Sequence, residues 1–381
     1  MSLLKHLSSL FALCLSLAAP GALAALPTPP APQLDARAWL LIDAASGVPL
    51  AEKAADTKVE PASLTKLMTA YLSFAAIKEG RLKLDQTLPV SEKAWRAEGS
   101  RMFLEPSKPA KVEDLLRGMI IQSGNDACIV LAEAIAGSEE GFASMMNQMA
   151  KRLGMSRSHF VNATGLPDPQ HYTTARDLAI LATALIRDFP EHYRIYAERE
   201  FAYNGIRQPN RNRLLYMDPS VDGVKTGHTE SAGYCLIASA QRERRRLLSV
   251  VLGTGSDTAR AMESQKLLNY GFQFFETVKL YPANKAVSSL RIYKGSQSDL
   301  QAGFTRDFLV TVPRGTASRI KASLVTRQPM LAPVRRGERV GSLRLTVDGQ
   351  VVGDYPLQAL HDVSVAGLLG RGWDSLLLMF K

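Results

Sequence analysis

The chain has 381 residues, with 46 Lys and Arg against 36 Asp and Glu, a formal charge of +10, 46% hydrophobic residues, 27 Gly, 20 Pro and 3 Cys. This composition excludes a disordered, collagen-like or disulfide-stapled protein, and the length allows two or three domains that each bury a core. The positive balance favours anionic partners without choosing among nucleic acid, anionic lipid and acidic polymer.

The first segment makes that choice. Met1 to Ala24 has one early cation, Lys5, an apolar run from Leu10 to Ala19, a break at Pro20-Gly21 and the small-residue pattern Ala22-Leu23-Ala24. These are the parts of a secretory signal peptide, residues 1–24, cut before Ala25. An exported chain is not expected to meet nucleic acid. Cys14 leaves with the signal, and the remaining pair, Cys128 and Cys235, could form a disulfide in an oxidising compartment; each sits inside an apolar stretch, which favours two free thiols.

Beyond the Pro-rich leader, Ala38 to Ile42 and Val48 to Ala51 flank the turn cluster Asp43 to Gly47 and predict a hairpin. Leu67, Met68, Tyr71, Leu72 and Ala75 recur at helical spacing, with Pro61 suited to the helix entry. Val112 to Ile186 is mostly helical in pattern, with turns at Gly137, Gly154 and Pro167. Two strand-length runs, Gly233 to Ala240 and Leu247 to Gly253, are joined by the charged turn Gln241 to Arg246, and a helix follows from about Ala259 to Phe275. Strands at both ends with helices between them predict an α+β domain, an antiparallel sheet packed against helices.

From Ala286 to His361 the pattern changes to short alternating runs, among them Phe308 to Val312, Val340 to Val347 and Val351 to Tyr355. They predict a separate, small all-β domain. In the last segment Val365, Leu368, Leu369, Trp373, Leu376, Leu377 and Phe380 share one helical face. It is too short and too polar on its other side to span a bilayer, and it reads as an amphipathic anchor lying in the membrane interface. The expected organisation is therefore a signal peptide at 1–24, an α+β domain at 25–285, a small all-β domain at 286–361 and an amphipathic anchor helix at 362–381.

Three short motifs bear chemistry. Ser63-Leu64-Thr65-Lys66 places a hydroxyl and an amine on one helical face, where burial makes a neutral lysine a competent base. Ser123-Gly124-Asn125 offers a hydroxyl able to relay a proton and an amide able to bind a peptide. Lys225-Thr226-Gly227, just ahead of the strand near Gly233, makes a docking edge for a carboxylate, with the glycine admitting a substrate backbone.

Ser-x-x-Lys, Ser-Asp-Asn and Lys-Thr-Gly in this order are the known signature of active-site-serine penicillin-binding proteins and class A β-lactamases, and Gly124 stands here in place of Asp. From about Ala38 onward the chain resembles the D-alanyl-D-alanine carboxypeptidases among the low-molecular-mass penicillin-binding proteins, in their membrane-anchored subgroup. Val59 to Lys66, Gln122 to Cys128, Thr174 to Asp177, Asn204 to Gln208 and Asp222 to Thr229 all look like that family. The resemblance implies a transpeptidase-like fold shared with β-lactamases. It implies Ser63 as nucleophile, Lys66 as its base and Ser123 as proton relay. Asn125 would bind the substrate amide, and the backbone N–H groups of Ser63 and His228 the oxyanion. Lys225 and Thr226 would take the terminal carboxylate, with help from Arg211 and Arg260, while Gly227 lets the substrate backbone approach. The implied partners are peptidoglycan stem peptides, β-lactams as covalent inhibitors and the outer surface of the inner membrane, with a periplasmic location and no cofactor.

Other readings fit less well. A class A β-lactamase needs a glutamate between the second and third motifs, and Gly141 to Pro190 contains none. A silent wall-binding protein has no use for intact Ser63, Lys66, Ser123 and Lys225. A D,D-endopeptidase acting on cross-links is the nearest alternative. No pair among the six histidines has metal-ligand spacing, so no metal is expected. The Arg242 to Arg246 cluster is read as a solvated turn.

Overall fold

The computed structural model describes residues 28–326 and 328–379. The signal-peptide reading, Cys14 and Phe380 lie outside them. The chain divides into two units, one made of Pro29–Val287 with Phe304–Ala317, the other containing Ser288–Gly303 and the residues from Ser318 onward.

The larger unit is built on a five-stranded sheet formed by β1 (Ala38–Asp43), β2 (Pro49–Lys53), β3 (Val221–Thr229), β4 (Gly233–Arg242) and β5 (Arg245–Thr254). Their order is β2-β1-β5-β4-β3 and every pairing is antiparallel. All six residues of β1 are buried, as expected of a strand covered on both faces. Its side chains alternate between two cores. Ala38, Leu40 and Ile42 join the core of α1 (Lys66–Lys78), α2 (Asn125–Ala136), α3 (Glu139–Leu153) and α4 (Ala175–Asp188). Trp39 and Leu41 join the core of α5 (Asp257–Phe274) on the opposite face. Each fully buried Leu or Phe in these cores contributes about 1.5–3 kcal/mol, which holds the helices to the sheet.

Helix limits follow local chemistry. Ser138, Thr174 and Ser256 each accept an N–H from the first turn of α3, α4 and α5 with a side-chain oxygen, the usual N-cap. Gly137 and Gly154 end α2 and α3 in the left-handed conformation, where a side chain is disfavoured.

After α5 the chain forms β6 (Phe275–Tyr281) and β7 (Ala286–Tyr293), and then β8 (Asp299–Gly303) and β9 (Phe308–Pro313). The sequence reading assigned Phe308 to Val312 to the small β domain, whereas β9 pairs with β6 and belongs to the larger unit. Two local features hold it there. Phe304 and Phe308 stack with centroids 4.1 Å apart, beside Tyr281. Thr311 bonds Ser46 at 2.7 Å and Thr277 at 3.0 Å, and Thr277 donates to the buried Asp43. Arg245 also donates to Asp43, at 3.0 Å, so that its burial is paired.

The smaller unit contains β10 (Ile320–Val325), β11 (Met330–Leu331), β12 (Arg339–Val347) and β13 (Gln350–Ala359), followed by α6 (Leu368–Leu378). Its sheet runs β10-β12-β13-β8-β7-β11. The Lys294 N–H donates to Asp374 on α6, and Gly295 forms an isolated bridge with Val365. No helix among the described residues is long and apolar enough to cross a membrane.

Candidate active site

Ala62 adopts a φ of +47°, uncommon for a residue with a side chain. It turns the chain into a 3-10 segment, Ala62–Thr65, that runs directly into α1. Ser63 thereby stands half-buried at the helix entry with Lys66 one turn on. Lys66 is 1% exposed. Its Nζ donates to Ser63 Oγ at 3.0 Å and to the Thr164 carbonyl at 2.5 Å. Burial pushes its pKa down to about 8, with Arg211 acting in the same direction and Asp126 against it. Beside it, Thr65 Oγ1 meets His171 Nε2 at 2.9 Å, and burial lowers His171 to about 4.

The second motif ends a π-helical turn, Gly118–Gln122, and Ser123 follows with a φ of +71°. Such strain in a buried serine marks a position held for function. Lys225 Nζ donates to Ser123 Oγ at 3.1 Å and to the Thr226 carbonyl at 3.1 Å. Burial, with Lys66, Arg211 and Arg260 close by, takes the Lys225 pKa well down. Each of the two lysines thus contacts one of the two serines that line one cleft. Asn125 is buried, its Nδ2 donates to the Glu98 carbonyl at 2.6 Å, and its Oδ1 has no partner.

Lys225-Thr226-Gly227 lies inside β3 and not ahead of a strand as the sequence suggested. Pairing with β4, Thr226 opposite Leu236, extends the strand through the motif. Because β3 is the last strand of its sheet, its outer edge is open to an extended peptide. Gly227 has a different reason from the one the sequence offered. A Cβ there would stand 3.2 Å from Leu64 Cγ and from the Pro61 carbonyl, so glycine lets the strand pack against the turn that carries Ser63.

A cavity of about 440 Å3 is walled by Ser63, Ser123, Thr226, Gly227, His228 and Arg211, with Arg260 also on its lining. His228 rests on Tyr234 with ring centroids 4.0 Å apart. Arg211 is exposed at the rim. Arg260 is 6% exposed and already engaged, donating to the Gly227 carbonyl at 3.1 Å and pairing with Asp257. Seven of the ten predicted positions line this cavity; Lys66 and Lys225 stand behind it, in contact with Ser63 and Ser123, and Asn125 is not part of the lining. A larger cavity of about 820 Å3 beside the Arg242–Arg245 turn contains none of the motifs. Its cations are mostly engaged, Arg242 with Asp218, Arg245 with Asp43 and Lys279 with Asp307.

Several site residues had no sequence signal. Ser100, Asn210, Arg213, Tyr234 and Asp257 line the cavity from separate segments, and the Lys66 contact at Thr164 is a backbone carbonyl, which no residue type betrays. Cys128 and Cys235 are free and buried, and burial raises the Cys128 thiol to about 12. No cluster of His, Cys, Asp and Glu able to hold a metal occurs among the described residues.

Comparison with known proteins agrees with this geometry. Residues 25–256 match the D-alanyl-D-alanine carboxypeptidase family, and residues 275–365 match the C-terminal domain of penicillin-binding protein 5. The chain is 46% identical to the D-alanyl-D-alanine carboxypeptidase DacC of Escherichia coli over 374 residues, 96% of this chain and 94% of that one. It is 41% identical to DacA of the same organism over 360 residues, 92% of this chain and 89% of that one. Among solved structures, penicillin-binding protein 5 from Haemophilus influenzae superposes with a TM-score of 0.84 at 40% identity, covering 89% of this chain and 99% of that one. Penicillin-binding protein D2 from Listeria monocytogenes, solved in an ampicillin-bound form, gives 0.60 at 33% identity over 64% of this chain and 100% of that one. With the motifs assembled around one cleft and the family model spanning well over half of its length, the chain belongs to the D-alanyl-D-alanine carboxypeptidase family of serine-type peptidases.

Proposed function

We propose that the protein removes the terminal D-alanine from peptidoglycan stem pentapeptides through an acyl-enzyme on Ser63. The observation on which this reading rests is the contact of Ser63 Oγ with a fully buried lysine whose pKa is pulled down to about 8. In its neutral form Lys66 accepts the Ser63 proton, and the Thr164 carbonyl holds one of its N–H groups so that the lone pair faces the hydroxyl. Ser63 Oγ then attacks the carbonyl of the penultimate D-alanine. The N–H groups of Ser63 and His228 hold the oxyanion. The proton held on Lys66 then passes through Ser123, itself bridged to Lys225, to the departing D-alanine nitrogen, which leaves Ser123 protonated and Lys66 neutral again. Thr226, Lys225 and Arg211 receive the terminal carboxylate, and Asn125 Oδ1 accepts an N–H from the peptide. Arg260 acts through the Gly227 carbonyl and keeps the strand edge in place. Water, activated at Lys66, hydrolyses the acyl-enzyme. A β-lactam resembles the D-Ala-D-Ala end and acylates Ser63 in the same way.

The protein works in the periplasm, exported by residues 1–24 and held peripherally on the outer face of the inner membrane by α6. In support, Leu368 is 80% exposed, Leu369 93% and Trp373 66%, an apolar face suited to a lipid interface.

The test is release of free D-alanine from a pentapeptide ending in D-Ala-D-Ala, with Ser63→Ala and a penicillin-treated sample alongside. Release by the wild type should be blocked by penicillin, and kcat/KM should fall by more than about 10³ in Ser63→Ala, where the covalent route is closed. Undiminished release by Ser63→Ala would sink the mechanism.

A further inference from the structure

Asp126 follows Asn125 directly and has no place in the chemistry above, yet it is 1% exposed. No lysine, arginine or histidine forms an ion pair with it among the described residues. Its carboxylate is satisfied by backbone. It accepts from the Met102 N–H at 3.0 and 3.1 Å, from Phe103 at 2.9 Å, from Leu104 at 3.1 Å and from Ala127 at 3.0 Å. Three consecutive amides of one loop therefore converge on a single buried carboxylate, and charge-assisted bonds of this kind are the stronger ones. The loop is bent to do so, since Phe103 has a φ of +68°.

The same loop also grips Asn125. The Ser100 carbonyl accepts the Asn125 N–H at 2.7 Å, and the Glu98 carbonyl accepts its Nδ2 at 2.6 Å. With both contacts made on the loop side, Oδ1 remains buried without a partner, a state that a substrate N–H relieves. Gly124 completes the arrangement. Its φ of −59° is open to any residue, so backbone freedom does not explain the glycine. A Cβ at this position would stand 2.8 Å from Asp126 Oδ1 and 3.2 Å from the Met102 nitrogen, inside the carboxylate's cradle.

We propose that Asp126 is a positioning residue of this enzyme. Its carboxylate pins loop 98–104 against Ser123-Gly124-Asn125, which fixes Asn125 with Oδ1 turned to the amide N–H of the bound peptide or β-lactam. Gly124 is the space that this carboxylate occupies. The triplet Ser123-Gly124-Asn125 itself holds no acid, and the carboxylate that orders the loop is supplied by the residue after it. The inference rests on the reading of the cleft as a peptide and penicillin site.

The test uses the full mature chain with Asp126→Asn and, independently, Gly124→Ala. The first substitution would turn an NH2 group toward N–H donors, while the second would crowd an intact carboxylate, so the second variant serves if the first does not fold. Active sites are counted by stoichiometric penicillin labelling, and every rate is taken per labelled site, which removes unfolded molecules. Two probes are compared, benzylpenicillin, which has an acylamido N–H, and penicillanic acid, which has no nitrogen substituent at that carbon and so no N–H to donate. Acylation by benzylpenicillin should fall about 10-fold or more, and that by penicillanic acid less than about threefold, because a lost hydrogen bond affects only the probe that makes it. Amide exchange at Met102, Phe103 and Leu104 should quicken in the same variants. Equal losses on both probes, or an unchanged benzylpenicillin rate, would overturn the proposal. Failure of the wild type to label or to release D-alanine would instead overturn the functional reading beneath it.

Discussion

Two helices of this chain, α1 and α6, are both rich in apolar residues and have opposite fates. Ten of the thirteen residues of α1 are buried, Lys66 among them, and none of α6 is. α1 is apolar nearly all round, so it sinks between the sheet and its neighbours and takes its lysine with it. α6 has one apolar face and one polar face, and its apolar face stays exposed within its own unit. Apolar content alone therefore does not decide burial. The distribution around the helix does, and it turns one helix into a setting for a perturbed base and leaves the other as a surface.

The largest effect that sharpens this contrast is expected at Lys66. Lys66→Met keeps the apolar stem and removes the base, and should lower kcat/KM per active site by about 10²–10⁴. The wild-type kcat/KM should rise with pH through about 8, because the lysine acts only when neutral and burial has lowered its pKa to that point. A profile flat between about pH 6 and 9 would show that Lys66 is not the titrating base.

Next in size is the exposed helix. Leu369→Ser with Trp373→Ser should weaken flotation with anionic lipid vesicles by more than about 10-fold, since each apolar side chain taken from the lipid forfeits about 1.5–3 kcal/mol. Equal flotation of wild type and variant would break the comparison, because α6 would then be as inert toward lipid as it is toward its own core.

The smallest effect concerns the buried surroundings of α1. His171 has a folded-state pKa of about 4, below its unfolded value of about 6.5. The unfolded chain therefore takes up a proton first, and stability falls as pH drops from about 6.5 toward 4. In His171→Gln the pH dependence of unfolding across this interval should be shallower by about one proton. An identical slope would mean that His171 is not buried in its neutral form.

Much of the site could be read in the sequence. Ser63 and Lys66 lie three residues apart, and helical geometry by itself joins them. The hairpin of β1 and β2, the pair β4 and β5 and the helix α5 were visible because each has a local period and local turn residues. The strand nature of Lys225-Thr226-Gly227 is hidden in the sequence, since two glycines and five polar residues leave β3 only Val221 and Val224 as apolar positions, and only its pairing with β4 extends the strand through them. β9 was placed in the wrong unit for a similar reason. Its alternation is that of any strand, and the partners that claim it, Thr277 and Ser46, are distant in the chain.

What the sequence determined by itself is the chemistry that depends on short spacing: Ser63 and Lys66 on one helical turn, the polar turn Ser123-Gly124-Asn125, and the two-faced terminal helix. What only the tertiary structure decided is everything that depends on approach between distant segments. The Thr164 carbonyl on Lys66, the Lys225 ammonium on Ser123, the engagement of Arg260 by Gly227 and Asp257, and the loop 98–104 on Asp126 are all of this kind. The physical reason is that backbone carbonyls and amides are the same at every residue. A sequence names side chains, while these contacts are made largely by main-chain groups that packing alone brings into range.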